Sequence, residues 1–502
     1  MAWQKRARLG VAIFGIACAI GVYAAMGERD KPVPAPEIER VDPKAIIESQ
    51  GNVLQQVRGV KQDYLIKADQ QLTYEGGASK LVGVEISVRN RGGRDYVITA
   101  REAQAGERQQ ELRLTGDVTL VASDGFEISA AEAFFSEGDG TVRTPGAFAF
   151  RRGRMHGTGI GMLYDKNTDI LTITEKATVS LTSEDESMVT EFTAGSSVFT
   201  RPLHLLTLGG LVHVVRGEQV IDADQGVAHL SDDDGQVGLI ELRGHSRVMG
   251  SGAQLDSLTA RDIDLSYAAD GRTLEHVVLR GEGAVGTDGR EEAQGRQIFG
   301  ESLDISLAPD GSLTRLVGRD GVRLNLAAAP DAPARSISAR TLDGIGEGEK
   351  GLTAVRFAED VAYTEAARRE TAARLVRSRT LDVALQQDVV RSAAFAGAVT
   401  FEEQELLASG AEMLYEPGKG TLRLKGRDAG GGPRVADAQL TVEATTIDIA
   451  LAGRTMSAAG SVNTTLRPRT STPPAADRAG QARASETGGR GIPPRESSKL
   501  PG

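Results

Sequence analysis

His156, His204, His213, His229, His245 and His276 are the side chains best suited to hold a metal or move a proton. None stands at a paired zinc-type spacing, and no cysteine lies near any of them. His204 and His213, nine apart in an apolar run, read as strand packing. Gly281-Glu282-Gly283-Ala284-Val285-Gly286 spells G-x-G-x-x-G. A pyrophosphate site needs a helix to begin there, whereas Thr287-Asp288-Gly289-Arg290 is another turn. Gly157-x-Gly159-x-Gly161 reads as a strand that other chain segments approach closely. Asp232-Asp233-Asp234-Gly235 offers calcium-type oxygens, but it falls where neighbouring repeats turn, and reads as a solvated turn. Sugar-cleaving clefts rest on aromatic platforms, and the single tryptophan, Trp3, precedes the first apolar run; there is no G-x-S-x-G nucleophile elbow. The expectation is a protein that is not an enzyme, with no cofactor and no metal.

Binding is then the question, and composition narrows it. The 502 residues are 40% hydrophobic, enough for a packed core, and the 60 glycines follow no collagen period. A net charge of −11 with 4% aromatics leaves neither the cations nor the stacking rings that nucleic acid requires, so no nucleic-acid partner is expected. Lys5, Arg6 and Arg8 precede an apolar run from Leu9 to Met26. That run spans roughly 27 Å as a helix, the thickness of a hydrocarbon core. Positive charge before it predicts a cytoplasmic segment 1–8, a transmembrane anchor 9–26 and a periplasmic bulk. A retained anchor is favoured over a cleaved signal peptide, because the run exceeds a usual signal core. Cys18, the only cysteine, lies inside the run, so the exported part has no disulfide. Prolines cluster in 27–45, read as a linker, and in 468–502, read as a disordered tail.

Between these ends a phrase recurs: apolar, two variable positions, apolar, a turn-like Gly or Asp, then Val. Its instances include Val237/Ile240/Val248, Leu274/Val277/Val285, Leu313/Leu316/Val322, Leu352/Val355/Val361 and Val390/Ala393/Val399. The valines follow one another at 37, 37, 39 and 38 residues, the mark of a repeat architecture. From the second apolar residue to the valine the gap is 6 or 8 and never 7. Even gaps keep the valine on one face of a strand, which is β logic and not helix logic. The apolar-x-x-apolar step breaks alternation as a bulge would. Ile263/Leu265/Tyr267, Leu303/Ile305/Leu307 and Leu381/Val383/Leu385 alternate cleanly, with turns such as Asp270-Gly271 and Asp310-Gly311 following the first two. Each repeat is two or three strands joined by hairpins, giving an all-β array of repetitive antiparallel strands. Ala366 to Arg379, rich in Ala, Arg and Glu, fits a short helix or a strand edge equally well.

The stretch Arg152-Gly-Arg-Met155-His-Gly157-Thr-Gly159-Ile-Gly161-Met-Leu-Tyr164-Asp165 through Leu171-Thr-Ile173 resembles the lipopolysaccharide-export periplasmic proteins of the LptC-like family. The order of basic start, anchor, linker and β domain is similar too, and the later repeats resemble the related OstA/LptA-like β-jellyroll. The resemblance implies an elongated OstA-type β-jellyroll: 46–190 LptC-like, 191–467 further OstA/LptA-like repeats. It implies an inner-membrane, single-pass protein in the bridge that carries lipopolysaccharide or a related glycolipid to the outer membrane. Its partners would be the inner-membrane Lpt ABC exporter and an LptA-like or outer-membrane translocon jellyroll. The chain departs from the family in length, with about twice the β material of one jellyroll, as an LptC–LptA-like fusion would have.

On its own terms, an array with one apolar face per strand can shelter lipid tails, which need a trough and no specific chemistry. A chain this acidic draws an anionic glycolipid only through acyl burial, about 0.8 kcal/mol per CH₂. Candidate groove residues are Phe126, Ile128, Phe134, Phe148, Phe150, Met155 and Met162, for each of which ordinary core packing is the competing reading. The alternative function is a structural or adhesive β-solenoid without ligand; a β-helical polysaccharide lyase is a third, and would need a cleft of clustered carboxylates and basic residues.

Overall fold

Alternating apolar residues separated by Gly- and Asp-bearing turns form strands whose one face must be covered. A computed structural model describes residues 2–26, 41–58, 61–91, 94–105, 111–136, 138–250, 255–287, 295–328, 333–368, 371–386, 389–427, 431–451, 453 and 455–466. The fold is all-β, a β-jellyroll array with 72% of the described residues in strands and 6% in helix. Among the described residues one helix is long, Ala2–Met26; it is apolar and exposed from Ala7 to Ala25, long enough to cross a membrane. Residues 27–40 of the expected linker and the whole of the expected tail, 468–502, lie outside the described residues.

From Ile47–Arg58 onward, successive strands pair antiparallel with the strand before and the strand after, so the chain is one long meander. Hydrogen bonding runs on across residue 190, because Val189–Ala194 pairs with Ile170–Thr182. Nearly every long strand is interrupted at its middle. In Val237–Met249 two residues, Gly244 and His245, stand opposite the single Arg261 of Ser257–Tyr267. Both have positive φ, 75° and 46°. Two residues against one is a β-bulge, and it bends the strand. The same left-handed pair recurs as Gly281/Glu282, Asp320/Gly321, Glu359/Asp360 and Gly397/Ala398. Each pair stands shortly before a valine of the repeated phrase, and Val248, Val285, Val322, Val361 and Val399 are all buried. G-x-G-x-x-G is therefore one of these bends, inside the strand Leu274–Thr287.

The bends divide every strand into two halves, and the halves form two walls joined along a corner. The division is explicit where a strand is fully broken. Ser196–Thr200 pairs with the first half of Ile170–Thr182, Val189–Ala194 with the second. At the far end Leu406–Glu416 hands one wall to Thr421–Lys425 and the other to Arg434–Ala436. The walls end in separate exposed edge strands, Thr455–Ala459 and Asn463–Leu466. Between the walls a single apolar core runs from Ile66 to Leu451. Opposite the corner, the hairpin tips of the two walls face each other across what we call the mouth.

Residues 366–379 resolve into a hairpin loop followed by the start of the strand Arg374–Gln386, and helix is excluded for the described part. The Arg374 head is drawn inward by Glu365 and Glu403, which fixes it on a strand despite helix-favouring neighbours.

Candidate functional site

The interior between the walls is the candidate site. In the region of the Arg152–Ile173 stretch it is aromatic. Phe126 lies 5.3 Å from Tyr164 and 6.3 Å from Phe150, and Phe148 stacks on Phe150 at 6.4 Å. The glycines of that stretch make room for these rings. A Cβ at Gly157 would collide with the Phe150 ring and the Thr178 carbonyl, and one at Gly159 with Ile173. The structure brings Phe126, Ile128, Phe148, Phe150, Met155 and Met162 into this interior, each no more than 4% exposed.

Phe134 stands apart. In Glu127–Ser136 the inward positions are Ile128, then, past the bend, Ala133 and Phe135. One extra residue at the bend shifts inward from even to odd numbers. Phe134 consequently lies on the outer face, half-buried, with the Arg143 guanidinium 5.4 Å and that of Arg113 6.0 Å from its ring centre.

Across the mouth the tips are latched by ion pairs. Arg201, 2% exposed, donates to Asp169 Oδ1 at 2.6 Å from one wall's tips and reaches Asp124 on the other. Arg94 pairs with both carboxylates, and the Tyr164 hydroxyl donates to Asp169 at 2.8 Å. Burial, helped by Tyr96 and the nearby Asp169 charge, pushes the Tyr164 phenol well above its usual range, so it stays a neutral donor. Burial works to raise the Asp124 carboxyl, but Arg201, the Phe126 amide and Arg94 outweigh it and hold it below the usual range. Further along, Arg152 reaches Asp234, which also takes His204 Nδ1 at 2.6 Å, and Arg154 pairs with Asp233 at 3.2 Å. Asp234 is thus buried in a latch and not a solvated turn residue. Beyond residue 330, Glu365 is held by Arg335 at 2.9 Å, Arg374 at 3.1 Å and the Tyr363 hydroxyl at 2.6 Å. Tyr415 from the facing wall completes that cluster, its phenol pushed up to about 12 by burial and Glu365.

Five histidines each sit beside one carboxylate: His204 with Asp234, His213 with Asp222, His229 with Glu241, His245 with Asp224 and His276 with Asp304. Among the described residues no three His, Cys, Asp or Glu side chains converge on one point. The latches escape sequence reasoning because their members lie far apart, 75 positions for Arg94 and Asp169 and 77 for Arg201 and Asp124. The available signal was an Arg or Asp recurring at successive hairpin tips.

Two clefts among the described residues lie against the interior. A cleft of about 750 Å³ at the corner reaches Phe148 between Val118, Ala130 and Ile160. Another of about 580 Å³ opens between the terminal walls, lined by Leu406, Val435, Leu440, Ile449, Leu451 and Met456.

Residues 16–182 match the family model described as lipopolysaccharide-assembly, LptC-related. No curated protein matches the chain. Among solved structures, one similar chain is LptH, described as the LptA homologous periplasmic component of the conserved lipopolysaccharide transport device from Pseudomonas aeruginosa. It shares 13% identity over 27% of this chain and 95% of its own length, with a TM-score of 0.22. The match to the LptC-related model runs from within the apolar helix to the end of the strand Ile170–Thr182, one third of the chain.

Proposed function

We propose that this protein is an inner-membrane-anchored, periplasmic component of lipopolysaccharide transport, and that acyl chains travel along the apolar interior between its walls. The carrying observation is the apolar core that runs, among the described residues, from Ile66 to Leu451. The LptC-related match over residues 16–182 supports the lipopolysaccharide reading, and the apolar helix supports the membrane anchor. In this reading the helix Ala2–Met26 is a retained single-pass anchor beside the ABC exporter. The edge strands Thr455–Ala459 and Asn463–Leu466 present unpaired backbone to an LptA-like or translocon jellyroll. The chain then spans two jellyroll units, 46–190 and 191–467, and acts as carrier without catalysis.

One observation favours the ligand-free solenoid: Phe126, Phe148, Phe150 and Met162 are packed to 4% exposure or less. An acyl chain enters only if the walls part. A photoreactive residue at Met162 or Phe148 separates the readings in cells. The conduit reading expects a crosslink to lipopolysaccharide at Met162, dependent on the exporter's energy source, and none at Leu163, which faces outward and is 42% exposed. Silence at every interior position, together with normal export after loss of the gene, would sink the conduit and leave the solenoid.

A further inference from the structure

Most buried arginines at the mouth are matched by carboxylates; Arg216 is not. It is 5% exposed, and neither Nη1 nor Nη2 has a hydrogen-bond partner. Its guanidinium carbon lies 4.0 Å from the centre of the Tyr267 ring on the facing wall, so it stacks face-on with its fork free. The Tyr267 hydroxyl is already committed to Gln219 Oε1 at 2.6 Å. Of the charged neighbours Glu218 is exposed to water, and the others are committed. Arg272 is paired with Asp185, Asp270 with its own turn at Arg272 and Thr273, and Asp310 with Ser312 and the Glu349 amide. Asp270 attracts the guanidinium without bonding it. An arginine held out of water with its fork open is costly unless an anion arrives.

The space for one is present. Arg216 lines a cavity of about 470 Å³ in the mouth, where the tip at 216–219 with Gly250 and Leu255 stands off from those at 267–274 and 307–311. Leu255, Leu274 and Leu307 give it an apolar flank, while Glu218, Gln219, Arg272, Thr273 and Asp310 line the remainder with Arg216. We propose that Arg216 binds the phosphate of an anionic lipid at this gap, with the lipid's first methylenes against Leu255, Leu274 and Leu307. Two free Nη groups in one plane match two oxygens of a phosphate, which a lysine could not do. The gap is then a lateral portal in the middle of the array. Assigning the anion to a lipid rests on the conduit reading above; the anion site itself rests on Arg216.

The test is calorimetric titration of the full-length protein, held in amphipol, with three probes: lysophosphatidic acid, the monoacylglycerol of the same chain length, and inorganic phosphate. The expected result is roughly tenfold tighter binding of lysophosphatidic acid than of monoacylglycerol, the scale of one charge-assisted hydrogen-bond pair. Arg216→Gln should erase that preference without changing monoacylglycerol affinity, and Arg216→Lys should retain only part of it. Equal binding of the two lipids, or a preference that survives Arg216→Gln, overturns the site and leaves the conduit standing. Inorganic phosphate binding as tightly as lysophosphatidic acid overturns the lipid assignment. Absence of binding by either lipid removes the conduit reading as well. Should the variants fail to fold, the wild-type melting temperature decides: a rise with lysophosphatidic acid and not with monoacylglycerol is expected, and no difference overturns the proposal.

Discussion

Arg201 and Arg216 make an instructive pair. Each is a nearly fully buried arginine at a hairpin tip, stacked on an aromatic ring, Arg201 at 4.5 Å over Phe126 and Arg216 at 4.0 Å over Tyr267. Around Arg201, two arginines and two aspartates close the mouth by linking both walls. Around Arg216 the ring is present, but no carboxylate bonds the two Nη groups, and a cavity lies beside them. The same repeat frame thus builds a latch in one register and a gap in another, and the difference lies in a few tip residues. Apolar patterning sets the walls; the tips decide where the walls are tied.

The largest expected effect follows from that contrast. Arg201→Met leaves Asp169 buried with Arg94 as its remaining cation, and should cost about 3–5 kcal/mol in chemical denaturation, as breaking a buried pair does. Arg216→Met removes a charge that has no partner to strand, and should be neutral or stabilising by about 1 kcal/mol or more. If the two variants cost the same, Arg216 has a structural partner and the contrast is void.

A smaller effect appears in acid. The folded-state Asp124 carboxyl lies below its ordinary value because Arg201, the Phe126 amide and Arg94 outweigh burial. A depressed carboxyl stabilises the fold above its unfolded value, about pH 4, and loses that contribution as pH falls through the lower folded value. The wild type should therefore lose stability below about pH 4. Asp124→Asn should lower stability at pH 7 by about 1 kcal/mol, since the group is partly solvated, and flatten the acid limb. An unchanged acid limb in melts from pH 2 to 7 would show that the latch carries no linkage.

Much of the wall architecture was legible in the sequence. The valine period and the even gaps survive because the left-handed pair at each bend adds two residues, which preserves the face of Val285, Val361 and Val399. The partner strand adds one residue, and there alternation read straight through the bend fails. Phe134 is the residue so misplaced, one step from Phe135, which does point inward. The latches were not legible, because a tip carboxylate finds its arginine across the mouth and not along the chain. Asp234 looked like a turn residue for this reason: its turn is ordinary and its partners, Arg152 and His204, are 82 and 30 positions away. Arg216 was invisible for the opposite reason, since nothing local says that a carboxylate will be absent.

The smallest expected effect tests that reading of the bend, on which the identification of inner and outer faces depends. Phe134 on the outer face sits between Arg113 and Arg143, which are themselves paired with Glu132 and Glu111. Exposed contacts of this kind contribute about 0.5–1 kcal/mol. Phe134→Ala should cost no more than that, because it removes a ring that water already reaches and leaves the ion pairs in place. A phenylalanine inside the walls would leave a cavity on truncation, at about 3–5 kcal/mol. A loss in that higher range at Phe134 would mean that the strand Glu127–Ser136 keeps its parity through the bend. Phe135, and with it the inward set that defines the interior on that wall, would then have to be reassigned.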